Sequence, residues 1–268
     1  MVDGVRVHAR VSTTEQGRRL PVVLVHGLAV SHRYLMPTAQ LLAAHHDVYV
    51  VDLPGFGLSG DPGPALDVPA HAAALAAWLD ASQLGPAVML GNSFGCQVLV
   101  ELVTREPQRC VALVLSGPTM DPYARSATRQ VARGRRDLLS EDPLQVPILA
   151  RDLCDAGPAR VWATLRAALR DPIELKLTRL TVPTLVLRGA VEPIVPARWA
   201  REATALIPDG DLVELSGSPH NAVYVAAEAL VAEVLRFVAR VERGRRTGLG
   251  ILPGVPAAAH ELVRRVSP

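Results

Sequence analysis

The chain has 268 residues, of which 49% are hydrophobic and 4% aromatic, so Val, Leu and Ala must fill most of its core. Its formal net charge of +2 argues against a nucleic acid or another polyanion as partner. No apolar run is long enough to span a membrane, and no N-terminal pattern resembles a signal peptide. Because Cys96, Cys110 and Cys154 are odd in number and widely spaced, we expect reduced thiols in a cytoplasmic protein.

Short apolar runs alternate with helical patterns along most of the chain. The later runs are continuous and rich in Val and Leu, which is typical of parallel strands buried on both faces. Their alternation with helices predicts an α/β protein with a mostly parallel central sheet. The predicted strands lie near residues 4–12, 21–26, 47–52, 87–91, 111–116, 184–188 and 212–215, and the predicted helices near 35–45, 68–83, 95–106, 196–206 and 222–241.

Residues 121–178 interrupt this alternation with helical patterns that are broken by prolines. A connection of this length is too long for a simple crossover. We expect a helical cap over the carboxyl edge of the sheet, where open α/β folds bind ligands. The predicted core is therefore 1–120 together with 179–242. The Gly-, Pro- and Arg-rich remainder, 243–268, is predicted to be a tail that is either poorly ordered or wrapped on the surface.

The most informative motif is Gly-Asn-Ser-Phe-Gly at residues 91–95, where an apolar run ends and a helical pattern begins. This context is typical of a nucleophile on a tight strand-to-helix turn, since the glycines let strand and helix approach closely. Ser93 is thus the predicted nucleophile. The N–H groups of Phe94 and of Leu28 are predicted to form an oxyanion hole, while the side chain of His26 is expected to brace its loop.

Two later loops supply partners for Ser93 in the order acid, then histidine. Glu192 follows a predicted strand, and His220 lies in a Gly- and Pro-containing loop before the final helix. A histidine can take the proton of a serine when an acid holds its ring, so the three residues predict a catalytic triad. Asp121, in the loop after the preceding strand, is the alternative acid.

With these motifs in view, the chain resembles the α/β-hydrolase superfamily over residues 4–241, and in particular its serine-nucleophile, lid-containing, esterase-like members. Residues 52–59, Asp-Leu-Pro-Gly-Phe-Gly-Leu-Ser, are similar to a loop of that superfamily that is expected to border the pocket. The resemblance implies an α/β-hydrolase fold with a helical cap, and chemistry that needs no cofactor and no metal. One departure is Glu192, where most such relatives carry aspartate.

The resulting prediction is a serine hydrolase that cleaves an ester or thioester through an acyl-enzyme intermediate. Because fold does not decide function, two alternatives stay open. One is a C–C bond hydrolase, a lyase or a cyclase, although ring-cleavage C–C hydrolases often place tryptophan where this chain has Asn221. The other is a ligand-binding protein without catalysis.

The substrate itself is predicted only in outline. Apolar side chains of the predicted cap favour an apolar acyl or alkyl group. Arg125, Arg129 and Arg133 fall on one helical stripe, which is either a solvated face or a recognition site for an acidic handle on the substrate. The oligomeric state is not predicted by any pattern in the sequence.

Overall fold

The computed structural model describes residues 4–13, 20–138 and 142–246. Its strands are β1 (Ala9–Ser12), β2 (Val22–Val25), β3 (Val48–Val51), β4 (Ala87–Asn92), β5 (Cys110–Ser116), β6 (Thr184–Gly189) and β7 (Gly210–Leu215). They form one seven-stranded sheet in the order β1-β3-β2-β4-β5-β6-β7. All neighbours are parallel except β1, which pairs antiparallel with β3 at one edge. The predicted α/β class with a mostly parallel central sheet is confirmed.

Helices cover both faces of this sheet. They are α1 (His32–Ala43), α2 (Val68–Ala81), α3 (Phe94–Arg105), α4 (Ala127–Leu138), α5 (Val146–Ala156), α6 (Pro158–Arg170), α7 (Ile173–Leu177), α8 (Ala197–Leu206), α9 (Ala222–Val225) and α10 (Ala227–Arg246). Alternate residues of each buried strand face opposite sides. Helices α2, α3 and α8 pack on one side, and α1, α9 and α10 pack on the other.

Helices α4 to α7 lie between β5 and β6, within the segment that we call the insertion (residues 121–178). The insertion is joined by hydrogen bonds to residues at the start of α1. Ser31 Oγ donates to Asp152 Oδ1 at 2.8 Å, and Arg33 Nη1 donates to Asp155 Oδ2 at 2.9 Å. On another side, the Arg160 guanidinium of α6 lies against Gly55. These contacts seat the insertion beside the loops that follow β2 and β3.

Several predicted boundaries differ from the structure. Helix α1 begins at His32 rather than near 35, because the hydroxyl of Ser31 accepts from the Arg33 N–H and caps the helix. The predicted helix 222–241 is two helices that are interrupted at Ala226. Helix α10 continues to residue 246, past the predicted start of the tail at 243, and residues 247–268 lie outside the described part of the chain.

Two further sequence expectations concern cysteines and membranes. Cys96 and Cys110 are buried, Cys154 is exposed, and all three thiols are free. Across the described ranges, no helix combines the length and the apolar character needed to cross a bilayer.

Candidate active site

Ser93 occupies a strained turn between β4 and α3. Its φ of 52° and ψ of −115° lie in a region that costs a residue with a side chain on the order of 1–3 kcal/mol. A Cβ added at Gly95 would lie 2.4 Å from the carbonyl oxygen of Val25, and one added at Gly91 would lie 2.8 Å from the Cys96 nitrogen. Both flanking glycines are therefore required by close backbone approach.

The backbone of the loop after β2 lies against this turn. A Cβ added at Gly27 would lie 3.2 Å from Ser93 Cβ. Leu28, the next residue, lines the same cavity as Ser93 and Phe94. Phe94 is the first residue of α3. Backbone N–H groups in the first turn of a helix have no hydrogen-bond partner within the helix, so they attract negatively charged groups. The loop after β2 and the start of α3 thus both lie next to Ser93.

His26 is fully buried and bridges two loops. Its Nδ1 donates to the carbonyl oxygen of Gly27 at 2.7 Å, and its Nε2 accepts from the Leu53 N–H at 3.0 Å. This pattern requires a neutral imidazole with its proton on Nδ1. Burial lowers the pKa of His26 and keeps it neutral. Its side chain therefore braces the loop that carries Leu28.

Glu192 and His220 meet at the carboxyl end of the sheet. His220 Nδ1 lies 3.0 Å from Glu192 Oε1, and both side chains are buried. The carboxylate also accepts from the Gly189 N–H at 3.1 Å and from the Val195 N–H at 2.9 Å. Three donors thus fix the carboxylate in its turn after β6, and the longer side chain of glutamate still reaches the imidazole.

Asp121 has other partners. Its carboxylate is buried and accepts from Arg133 Nη2 at 3.0 Å and from Arg198 Nη2 at 2.9 Å. The structure therefore brings Glu192 to the imidazole, and it engages Asp121 in ion pairs with an arginine of α4 and an arginine of α8.

The arginine stripe of α4 and the turn before it is largely used within the protein. Arg125 pairs with the buried carboxylate of Glu174, and Arg133 pairs with Asp121. Arg129 is exposed and donates to the carbonyl oxygen of Tyr123 at 2.7 Å. Two of the three arginines therefore hold the insertion together, and Arg133 also donates to the core at the carbonyl oxygen of Ile194, roles that helical spacing alone did not indicate.

Ser93, His220, Leu28 and Phe94 all line one cavity of about 390 Å³. Most of its wall is apolar and comes from both the core and the insertion. Its other lining residues include Val30, Met120, Leu149, Leu165 and Ile194, with the charged side chains of Arg135 and Asp137 from α4. Such a cavity suits an apolar group that ends in a polar, reacting atom.

Asp52 holds the loop of residues 52–59, which is similar to the superfamily motif, through several hydrogen bonds. Its Oδ2 accepts from His32 Nδ1 at 2.7 Å, from His8 Nδ1 at 2.9 Å and from the Leu58 N–H at 3.0 Å. Burial opposes ionisation, but the hydrogen bond from His32 and the neighbouring donors hold the pKa of Asp52 well below its usual range. A Cβ added at Gly57 would lie 2.4 Å from Asp52 Oδ2, so a residue with a side chain would clash with the carboxylate at this position.

The same three side chains could in principle hold a metal. In the parts of the chain that the structure describes, the ligand atoms of His8, His32 and Asp52 lie within 4.8 Å of one another. Both imidazoles, however, direct Nδ1 at one carboxylate oxygen, which is the geometry of hydrogen-bond donors. We therefore describe the group as a hydrogen-bond network that ties the chain before β1 and the start of α1 to the motif.

His71 of α2 lies directly behind Phe94. Its ring centroid is 5.6 Å from that of Phe94 and 6.0 Å from that of Phe56. Neither ring nitrogen has a hydrogen-bond partner among the described residues. Burial, reinforced by the nearby His26 and Arg160, lowers the pKa of His71 to about 3. The folded protein thus keeps this histidine neutral at pH values where an exposed histidine would be charged.

This burial makes stability depend on pH. We expect the free energy of unfolding to be largest above pH 6.5, the ordinary pKa of histidine, and to fall as the pH drops from there toward 3. The unfolded chain takes up a proton that folded His71 does not, which gives a slope of about 1.4 kcal/mol per pH unit for one proton. Urea denaturation at pH 7, 6 and 5 measures this slope. A His71→Leu variant with the slope of the wild type would contradict the assignment.

Some residues around the site carry no signal in the sequence. Asp137 and Gln145 of the insertion contact the loop that carries His220, although they are separated from it by 83 and 76 positions. Gly117 lies under the imidazole, with φ +60°. A glycine at the end of a strand could have marked Gly117, but no local pattern marks the other two residues.

Comparison with known proteins agrees with this architecture. Residues 22–234 match the model described as "Alpha/beta hydrolase family". The pimeloyl-[acyl-carrier protein] methyl ester esterase of Xanthomonas campestris pv. campestris (strain B100) is 30% identical over 250 residues, which are 81% of this chain and 94% of the esterase. Polyketide synthase ThaQ of Burkholderia thailandensis is 28% identical over 266 residues, covering 90% of this chain but only 13% of the synthase.

Solved structures show the same fold. The esterase from Thermogutta terrifontis superposes with a TM-score of 0.75 at 21% identity, over 88% of this chain and 94% of the esterase. The enol-lactonase from Burkholderia xenovorans LB400 also gives 0.75, at 19% identity, over 89% of this chain and 98% of the lactonase. The resemblance inferred from the motifs is confirmed, and the chain belongs to the alpha/beta hydrolase family.

Proposed function

We propose that this protein is a serine hydrolase that cleaves an ester or thioester through an acyl-enzyme intermediate. The observation that carries the proposal is the 3.0 Å contact between His220 Nδ1 and Glu192 Oε1, at the wall of the cavity onto which Ser93 opens. An oriented imidazole beside a serine on a strained turn is the arrangement that activates a hydroxyl for attack. Glu192 is the proposed triad acid.

The mechanism follows from these positions. His220 accepts the proton of the Ser93 hydroxyl through Nε2 while its Nδ1–H stays bonded to Glu192, which stabilises the imidazolium. Ser93 Oγ attacks the carbonyl carbon, and the N–H groups of Leu28 and Phe94 stabilise the oxyanion, each donor being worth about 3–4 kcal/mol. His220 then protonates the leaving alcohol or thiol. A water that gives its proton to His220 hydrolyses the acyl-enzyme.

The mostly apolar wall of the cavity supports an apolar acyl group. In this proposal the insertion is the cap of the active site, since its Leu149 and Leu165 form part of the cavity wall. The relatives named as methyl ester esterases support ester cleavage over the C–C bond chemistry that the fold also hosts. We therefore propose an ester or thioester of an apolar acyl chain as substrate, with its scissile carbonyl between Ser93 and the two backbone donors.

The proposal is tested by covalent labelling. Wild-type protein treated with a fluorophosphonate should gain one adduct by intact mass, and peptide mapping should place it on Ser93. Ser93→Ala should gain none, and His220→Ala should react far more slowly because its serine keeps the proton. Ser218→Ala, which changes a buried serine of the loop before His220, serves as the control and should label like the wild type.

Folded wild-type protein that gains no adduct would contradict an activated serine. Hydrolysis of p-nitrophenyl esters of increasing acyl length then separates the chemistries. An esterase shows turnover that depends on Ser93, whereas a lyase, a cyclase or a binding protein shows none.

A further inference from the structure

The loop before α9, which we call the histidine loop (residues 216–221), is bonded to the insertion at two successive residues. The His220 N–H donates to Asp137 Oδ1 of α4 at 3.3 Å. Asn221 Nδ2 donates to Gln145 Oε1 at 2.7 Å. Gln145 and Asn221 are both 0% exposed, so this amide pair is sealed between the core and the insertion.

The core holds the backbone of this loop closely at the residue before His220. A Cβ added at Gly189 would lie 2.2 Å from the carbonyl oxygen of Pro219, which shows how tightly β6 packs on the loop at that point. Beyond Pro219 the loop turns toward the insertion. Connecting loops are the mobile parts of a fold unless they are tied down, and hydrogen bonds shielded from water are costly to break. The two bonds to the insertion therefore hold the residue that carries the imidazole.

Helix α4 contacts the turn that carries Glu192 as well as the histidine loop. Arg133 Nη1 donates at 3.1 Å to the carbonyl oxygen of Ile194, in the turn that holds Glu192. Arg133 and Asp137 are four residues apart and so lie on one face of α4. One turn of this helix thus contacts the backbone of both loops whose side chains form the imidazole–carboxylate pair.

We infer that the insertion positions the general base, with Asp137 and Gln145 as positioning residues that keep His220 paired with Glu192 and directed into the cavity. The inference rests on the proposed function for its catalytic meaning. It implies that catalysis depends on the two bonds between the insertion and the histidine loop, and not on the other contacts that the insertion makes with the core.

The amide pair provides the test. Gln145→Leu and Asn221→Leu should each lower kcat for a p-nitrophenyl ester by roughly 10- to 100-fold, since a misplacement of about 1 Å costs on that order. KM should change little, because neither residue lines the cavity among the described residues. The double Leu variant should be no slower than either single variant, since one interaction is lost in all three. Exchanging the two amides, Gln145→Asn with Asn221→Gln, should restore kcat.

A control separates positioning from general loosening of the insertion. Ser31→Ala removes a different bond between core and insertion, of 2.8 Å to Asp152, that does not involve the histidine loop. It should keep the fluorophosphonate labelling rate of the wild type. Hydrogen–deuterium exchange should speed up in the peptide that spans the histidine loop in both Leu variants, but not in Ser31→Ala.

Leu variants that label at the wild-type rate with unchanged exchange overturn the inference, and so does a Ser31→Ala variant that loses as much activity as they do. Absence of labelling in the wild type counts against the proposed function instead. Exchange in the histidine loop still decides, in that case, whether the insertion holds it.

Discussion

Replacing Glu192 by glutamine is expected to lower kcat for ester hydrolysis by about 10⁴-fold, the loss that follows when the acid of a serine-protease triad becomes an amide. The carboxylate accepts the proton on His220 Nδ1 at 3.0 Å. An amide in its place can present N–H to the ring, which forces the other tautomer and leaves no lone pair on Nε2 for the serine proton. Steady-state kinetics with a p-nitrophenyl ester measure the loss, and circular dichroism verifies the fold.

Two further variants test the identity of the acid. Glu192→Asp shortens the side chain by one methylene and should retain part of the activity lost in the amide variant, since the charge is kept. Asp121→Asn should lower stability because the buried carboxylate pairs with Arg133 and Arg198, but its loss of kcat should be far smaller. The reverse ranking, with an inactive Asp121→Asn and an active Glu192→Gln, would transfer the acid role to Asp121.

The sheet could be predicted because parallel strands buried on both faces produce continuous apolar runs. Strands β2 to β6 are such runs, and every residue of β2, β4, β5 and β6 is buried. The first strand was predicted over 4–12 but covers only Ala9–Ser12, because it is an edge strand with one neighbour and its last three residues are exposed. Apolar alternation does not show where such a strand stops pairing.

The nucleophile and its neighbours could be predicted because a tight turn leaves a local signature. The glycines around Ser93 are fixed by contacts with backbone atoms, so their spacing appears directly in the sequence. The pairing of Asp137 with the His220 loop, by contrast, joins residues 83 positions apart and is made by the packing of the insertion on the core. Burial of His71 is likewise a tertiary outcome, since a histidine within an Ala-rich helix carries no mark of it.

Replacing Gly117 by alanine is expected to lower kcat by about 10²-fold, the size of effect that follows from misplacing a catalytic group by about 1 Å. The Cβ of alanine would lie 2.7 Å from His220 Cε1 and 2.9 Å from Nδ1, too close for the ring to stay where it is. The imidazole must then move away from β5, which strains or breaks its bond to Glu192. Alanine at φ +60° also costs on the order of 1 kcal/mol or more in stability.

Gly63→Ala is the matched control, because Gly63 has φ +81° and, among the described residues other than its chain neighbours, no atom lies within 4 Å of the added Cβ. It should lose comparable stability from backbone strain while its kcat stays that of the wild type, since it lies away from the imidazole. Thermal unfolding and ester kinetics on both variants separate the two effects. A Gly117→Ala variant with the kcat of the wild type would show that the His220 imidazole accommodates the added methyl group. Close packing by Gly117 would then not be what positions His220. If both variants lose activity equally, the loss comes from strain in the fold, and the position of the imidazole does not depend on Gly117.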